Sequence, residues 1–289
     1  MTPAGASAPD DRALTLQQAA DRLGVHYMTA YRYVRTGQLP ATRRAGRVLV
    51  APADLAAFER QRATPAPRPI ATARRRRGAH EDRLLDRLLA GDEPGAWQVV
   101  DAALVSRTTP DRAHLELLAP CMAEVGRRWE AGTLTVGEEH IASATAARIA
   151  ARLAPLCTPR GRRRGTVVVG GPPGEHHTLP ATLLTNVLRA RAWRVIELGG
   201  DTPAADFVDA ARRADRLTAI AVSVGSHVAL DAARQVIAAV HAALPDPPPV
   251  LAGGPGIADL TAAHDLGAAA WAPDADAVTT LLATLPTRP

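Results

Sequence analysis

Between residues 81 and 154 apolar side chains recur every three or four positions: Leu84, Leu85, Leu88 and Leu89; Trp97, Val100 and Leu104; Leu115, Leu118, Met122, Val125 and Trp129; Ile141, Ala144, Ile149 and Leu153. That period puts them on one stripe of a helix. Gly91, Pro94, Pro110 and Gly132 interrupt the pattern and leave four helices with short connections. Residues 81–160 therefore read as a four-helix bundle. After Gly165 the pattern changes to short apolar runs, at 166–169, 194–198, 219–224, 249–252 and 268–271, each followed by a helical stretch, at 181–191, 204–213, 229–243, 257–264 and 275–285. Strands that alternate with helices imply right-handed crossovers and a doubly wound five-stranded parallel sheet, here over residues 161–289. Ligands on such sheets bind beyond the carboxyl ends of the strands.

The first 62 residues follow a third pattern. Residues 1–13 are small, polar and Pro-containing and read as a disordered tail. Thr15 can cap a helix over 16–23, Gly24 and Val25 make a turn, and a second helix over 26–35 stops at Gly37. Helix, glycine turn, helix is a DNA-reading arrangement, and His26, Thr29, Tyr31, Arg32 and Arg35 of the second helix are its candidate contacts. Residues 43–50 read as a tight hairpin, a wing that carries Arg43, Arg44 and Arg47, and Pro52 opens another helix. Arginines on a wing suit phosphates, which fix position without reading sequence. Alternating prolines at 65, 67 and 69 and the run Arg74–Arg77 make residues 63–80 a linker. The fold class is thus α plus α/β: a winged helix-turn-helix at 14–62, a helical-bundle cap at 81–160, and the doubly wound domain.

Charge sharpens this division. Residues 1–80 hold fourteen Arg against five acids, and residues 81–289 hold twenty Arg against twenty-four; the balances of +9 and −4 sum to the net +5. A basic head on a mildly acidic body suits a nucleic-acid partner. Cys121 and Cys157 form no CxxC pair and lie in helical patterns, so they read as buried thiols. No apolar run approaches the roughly 20 residues of a bilayer span, and no charged-then-apolar leader opens the chain, which leads us to expect a soluble, cytoplasmic protein without a membrane partner.

The first strand of the α/β half runs into Gly170-Gly171-Pro172-Pro173-Gly174, then Glu175-His176-His177-Thr178-Leu179. A neutral imidazole is a good ligand for a borderline transition metal, and an acid on its other nitrogen fixes the tautomer. No GxGxxG opens a helix here, which disfavours a dinucleotide. The loop resembles the Asp/Glu-x-His-x-x-Gly loop of the cobalamin-binding domains of methionine synthase, methylmalonyl-CoA mutase and the CarH light-sensing repressors. The resemblance makes His177, rather than His176, the lower axial cobalt ligand, with Glu175 as its helper. Pro180 stands where the family has Gly. Ser223-Val224-Gly225 and Gly253-Gly254 match the family's second and third motifs, on the side entered by the nucleotide tail, so Ser223, Gly253 and Gly254 are implied cofactor contacts.

Upstream, Thr135 and Glu138 fit a capping box, which starts a helix that carries Val136, Glu139 and His140 on one face. Trp129 ends the preceding helix. The spacing Trp129-x9-Glu139-His140 is similar to the signature of the CarH group. The resemblance implies that Trp129 covers the adenosyl group of adenosylcobalamin, Val136 packs nearby, Glu139 hydrogen-bonds it, and His140 becomes an upper cobalt ligand after light. The head resembles the excisionase and MerR group of winged helix-turn-helix domains, which implies DNA binding as a dimer or higher oligomer. The combined expectation is a light-responsive, adenosylcobalamin-binding transcriptional repressor, tetrameric on operator DNA in the dark, and not an enzyme. The alternatives are a light-independent cobalamin sensor and a corrinoid carrier for an enzyme.

Overall fold

The computed structural model describes residues 13–24, 30–31, 33–34, 37–44, 47–63 and 78–285, with the backbone alone for 43, 44, 47 and 61–63. Residues 1–76 and 77–289 form two compact units.

In the first unit, strand β1 (Leu14–Thr15) leads into helix α1 (Leu16–Leu23). Thr15 and Gln18 cap each other's backbone, and Gly24 closes the helix in the left-handed region at φ 64°. A capped start of this kind contributes about 1 kcal/mol. Gly37 is again left-handed, at φ 68°, and its N–H reaches Val34 O at 3.0 Å. Strands β2 (Thr42–Arg44) and β3 (Arg47–Val50) pair antiparallel with Arg44 opposite Arg47, which is the expected wing hairpin. Beyond that expectation, β1 pairs with the other edge of β3 to give a sheet ordered β1-β3-β2. Helix α2 (Pro52–Ala63) follows, and Leu16, Ala19, Ala20, Ala30, Leu39, Val50, Leu55 and Phe58 form the core.

The second unit opens with the bundle: α3 (Ala79–Leu89), α4 (Glu93–Val105), α5 (Pro110–Ala113), a π-helical turn (His114–Leu118), α6 (Ala119–Glu130) and α7 (Val136–Leu153). The π turn joins α5 to α6, so the four expected helices are present. One face differs from the expected stripe. Ile141 is 47% exposed and Ala144 is exposed, while Ala142, Ala146, Ile149, Ala150 and Leu153 of α7 are buried.

Strands β4 (Thr166–Gly170), β5 (Arg194–Gly199), β6 (Leu217–Ser223), β7 (Val250–Gly253) and β8 (Ala270–Trp271) form an all-parallel sheet ordered β5-β4-β6-β7-β8. The alternating sides of β4 supply two cores. Val168 packs with Phe207, Ile220, Ala233 and Ala263, under α9 (Ala204–Arg213), α10 (Leu230–Ala243) and α11 (Leu260–Asp265). Val167 and Val169 pack with Ala181, Leu188, Val278 and Leu282, under α8 (Leu179–Ala190) and α12 (Ala275–Thr284). The expected doubly wound sheet is therefore present. The chain passes from β4 to β5 on one side, then crosses to β6 on the other, so the winding reverses between β4 and β6. A crevice opens at the carboxyl ends of two strands where the winding reverses.

Helix α8 joins the sheet to the bundle. Leu183 lies in the bundle core, and the buried Asn186 side chain donates to Ala150 O at 3.1 Å. Pro180 is accommodated because it falls in the first turn of α8, where a backbone N–H has no partner within the helix.

Candidate cobalamin site

The Glu175–His177 loop leaves β4 at the reversal point. Glu175 is 1% exposed. One carboxylate oxygen accepts from the His177 ring Nδ1 at 2.6 Å and from the His177 backbone N–H at 2.8 Å. The other accepts from the N–H of Gly225 and from that of Ser226 at 3.2 Å, both just past β6. Burial alone opposes ionisation of this carboxyl. The bonds from the His177 ring and backbone and from Gly225 outweigh it, and the pKa is held below the usual carboxylate value. An ionised carboxylate only accepts, so the proton of a neutral His177 sits on Nδ1 and the lone pair on Nε2. The His177 side chain is 47% exposed beside this buried anchor. His176 is exposed and takes no part in the contact.

The glycines at the crevice serve the protein's own packing. A Cβ on Gly225 would lie 3.1 Å from both the Glu175 carboxylate and His177 Nδ1. A Cβ on Gly253 would overlap the Ala272 carbonyl, and one on Gly254 would meet the backbone of Val224. Gly253 and Gly254 thus admit neighbouring loop backbone, and Gly225 admits the Glu175–His177 pair. Ser223 pairs with Gly253 at the ends of β6 and β7, half-buried. Gly225 and Ser226 were not among the expected site residues, although Gly225 stood inside the quoted motif. Backbone donors carry no side-chain signal.

At the bundle end, Thr135 caps α7 with the expected box: its N–H bonds Glu138 at 2.7 Å, and the Glu138 N–H returns to Thr135 Oγ1 at 3.2 Å. Trp129 and Val136 are half-buried on either side of the turn at Gly132. Glu139 accepts from Ser143 Oγ at 2.7 Å, and its second oxygen lies 3.6 Å from His140 Nε2, beyond hydrogen-bond range. His140 is 60% exposed. Leu134, in this turn, and Leu179, two residues after His177, pack on the same bundle core.

The donor set fits a corrinoid. A corrin ring fills the equatorial positions of its cobalt, so one imidazole suffices from below. His177, with its tautomer fixed and its ring half-exposed at the strand crevice, meets that need.

In the head, Tyr31 is half-buried and packs against the edge of the core. His26, Thr29, Arg32 and Arg35 lie outside the described residues, as do the side chains of Arg43, Arg44 and Arg47. Cys121 and Cys157 are buried and not disulfide-bonded, as expected, and burial pushes Cys157 up to about 11. Among the described residues no helix is long and apolar enough to cross a membrane.

Comparison with known proteins agrees with this geometry. Residues 13–63 match a helix-turn-helix domain, and residues 80–153 and 165–282 match two models of a B12 binding domain. Over 122 residues the chain is 40% identical to the HTH-type transcriptional repressor CarH of Myxococcus xanthus, which covers 41% of this chain and 38% of that protein. It is 27% identical over 128 residues to trimethylamine corrinoid protein 1 of Methanosarcina mazei, covering 42% of this chain and 57% of the relative. The chain thus spans under two thirds of either relative. The structure of the Methanosarcina barkeri monomethylamine corrinoid protein shares the fold, with a TM-score of 0.62 at 19% identity over 71% of this chain and 97% of that one. The chain thus carries a helix-turn-helix segment and two B12-binding segments, and over 122 residues it is similar to the CarH repressor.

Proposed function

We propose that this protein is a transcriptional regulator that binds adenosylcobalamin, holds operator DNA in the dark and releases it on illumination. The observation that carries the reading is the Glu175–His177 pair at the strand crevice, in a chain whose head matches a helix-turn-helix domain. In this reading His177 is the lower cobalt ligand through Nε2, and Glu175 fixes its tautomer. Ser223, Gly253 and Gly254 flank the path of the nucleotide tail. Trp129 and Val136 offer apolar cover to the upper face, Glu139 offers an acceptor, and His140 offers a second imidazole.

Bound adenosylcobalamin supplies a cobalt–carbon bond that light breaks. With the adenosyl group present, Trp129, Val136 and Glu139 would contact it and so hold the bundle turn in one position. Without it they would lose those contacts, and the exposed His140 would be free to offer its imidazole to the cobalt. A turn with two alternative sets of contacts is a two-state element that a ligand can bias. Assembly is its readout: we propose a homo-oligomer, tetrameric in the dark, as the DNA-gripping form. The protein is then a binding switch without turnover.

A corrinoid carrier is the second reading, favoured by the likeness to the trimethylamine corrinoid protein. The basic head argues against it. Absorption spectra of the protein loaded with adenosylcobalamin, before and after green light, test the proposal. The wild type should change its spectrum and His140→Ala should reach a different final spectrum. Identical lit spectra would remove His140 from the switch.

A further inference from the structure

At the end of the sheet opposite the Glu175–His177 loop, the charge runs against that of its surroundings. Residues 81–289 carry a balance of −4, yet residues 158–164 hold Arg160, Arg162, Arg163 and Arg164 and no acid. This segment leads into β4, the strand between β5 and β6. Arg194 is the first residue of β5 and Arg216 immediately precedes β6, and both strands start level with Thr166 of β4. Six arginines thus gather at the amino-terminal edge of three adjacent strands. The sheet, some five residues or roughly 16 Å deep along β4, separates them from the cofactor loops.

Among the described residues, ion pairing reaches one of these six. Asp215 pairs with Arg194 at 3.3 Å. Asp111 and Asp276 are engaged by Arg191, at 3.3 and 2.8 Å. Among the described residues, Arg160, Arg162, Arg163 and Arg164 have no ion-pair partner, and all but the half-buried Arg163 are exposed. The backbone that carries them is tied down. The Arg216 guanidinium donates to Arg163 O at 3.2 Å and to Arg164 O at 3.0 Å, and Arg164 N–H reaches Ala192 O at 2.9 Å. Ala192 and Arg216 hold left-handed turns, at φ 65° and 51°, to make these bonds. Arg216 is thereby used to fix the loop, which leaves the four arginines before β4 as the outward charges.

Four unpaired like charges on an anchored loop repel one another, an arrangement that a polyanion relieves. A guanidinium matches phosphate oxygens with two parallel bonds, and a loop already fixed loses little freedom when it binds. Duplex DNA presents one phosphate charge per about 1.7 Å, and the head of this chain matches a helix-turn-helix domain. We propose that Arg160, Arg162, Arg163 and Arg164 form a second DNA-contacting surface, on the cobalamin-binding unit itself, that touches the phosphate backbone without reading sequence. This rests on the DNA-binding part of the function proposed above.

The test uses the full chain loaded with cobalamin and a duplex of random sequence, with affinity measured across a salt series. Changing the four arginines to Gln should lower the slope of log K against log salt by about 3, and changing all four to Lys should restore it. The cobalamin spectrum should stay as in the wild type, because the edge lies away from His177. If the wild type binds DNA and the Gln variant keeps its slope, the edge serves some other partner, such as an acidic protein, and the inference falls while the proposed function stands. If a folded Lys variant fails to recover the slope, phosphate charge is not what the edge reads, and the inference falls as well. If the wild type binds no duplex at all, the DNA-binding reading falls too.

Discussion

Exchange of Glu175 for Gln keeps the shape of the side chain and removes its charge, and the surroundings leave the amide no good orientation. The carboxylate accepts from the His177 ring on one side and from the N–H groups of Gly225 and Ser226 on the other. If the amide oxygen faces the ring, its NH2 is pressed against two backbone donors. If the oxygen faces those donors, the NH2 points at Nδ1, which must then become the acceptor. That tautomer puts the proton on Nε2, the atom that would bind cobalt in the proposed function. Either outcome replaces charge-assisted bonds, worth about 1.5–3 kcal/mol each, with a mismatch. Loss of a partner that orients a metal-bound histidine typically costs about 10- to 100-fold in affinity, or about 1.4–2.8 kcal/mol. We expect a loss of this size for Glu175→Gln in a spectroscopic titration with cobalamin. Apo-protein stability should fall as well, measured by urea unfolding, because the site is buried. Unchanged affinity in the Gln variant would refute the tautomer argument.

Other outcomes follow from the same coordinates. His177→Ala should abolish the spectrum of histidine-bound cobalamin while His176→Ala keeps it; the reverse pattern would show that the register is wrong. His114 is fully buried in the bundle, its Nδ1 has no hydrogen-bond partner among the described residues, and burial holds its pKa down to about 4. Its neutral form therefore stabilises the fold fully above about pH 6.5, and that contribution, about 3 kcal/mol, is lost as pH falls from 6.5 to 4. Denaturant midpoints of His114→Leu should lack this pH dependence; equal slopes in both proteins would contradict it. Thr135→Ala removes the capping box of α7 and should cost about 1 kcal/mol in urea unfolding, with no effect expected at pure surface positions nearby. Replacing Arg43, Arg44 and Arg47 together by Ala should flatten the salt dependence of DNA binding by about three contacts, and an unchanged slope would count against the wing.

The sheet was legible because each of its strands is a short apolar run closed by turn residues, and the periods of 2 and 3.6 do not mix in this half. The capping residues Thr15 and Thr135 marked two helix starts to the residue. The inner face of α7 was misread at Ile141 and Ala144, because a face built from Ala142, Ala146 and Ala150 has no bulky apolar signal. Strand β1 escaped notice because two residues are too short for a period. Glu175 and His177 were legible from their spacing, but the reason they hold together was not. It depends on N–H groups fifty residues away, brought close only by the pairing of β4 with β6. The arginine edge also depends on this pairing: residues 160–164, 194 and 216 are far apart in the chain and become neighbours only once three parallel strands start level.

Operator affinity before and after illumination tests the central claim most directly. The protein loaded with adenosylcobalamin under dim red light should retard operator DNA in a gel, and the same sample after green light should not. Equal retardation in the two conditions would contradict the light switch and leave a cobalamin-binding regulator that does not respond to light.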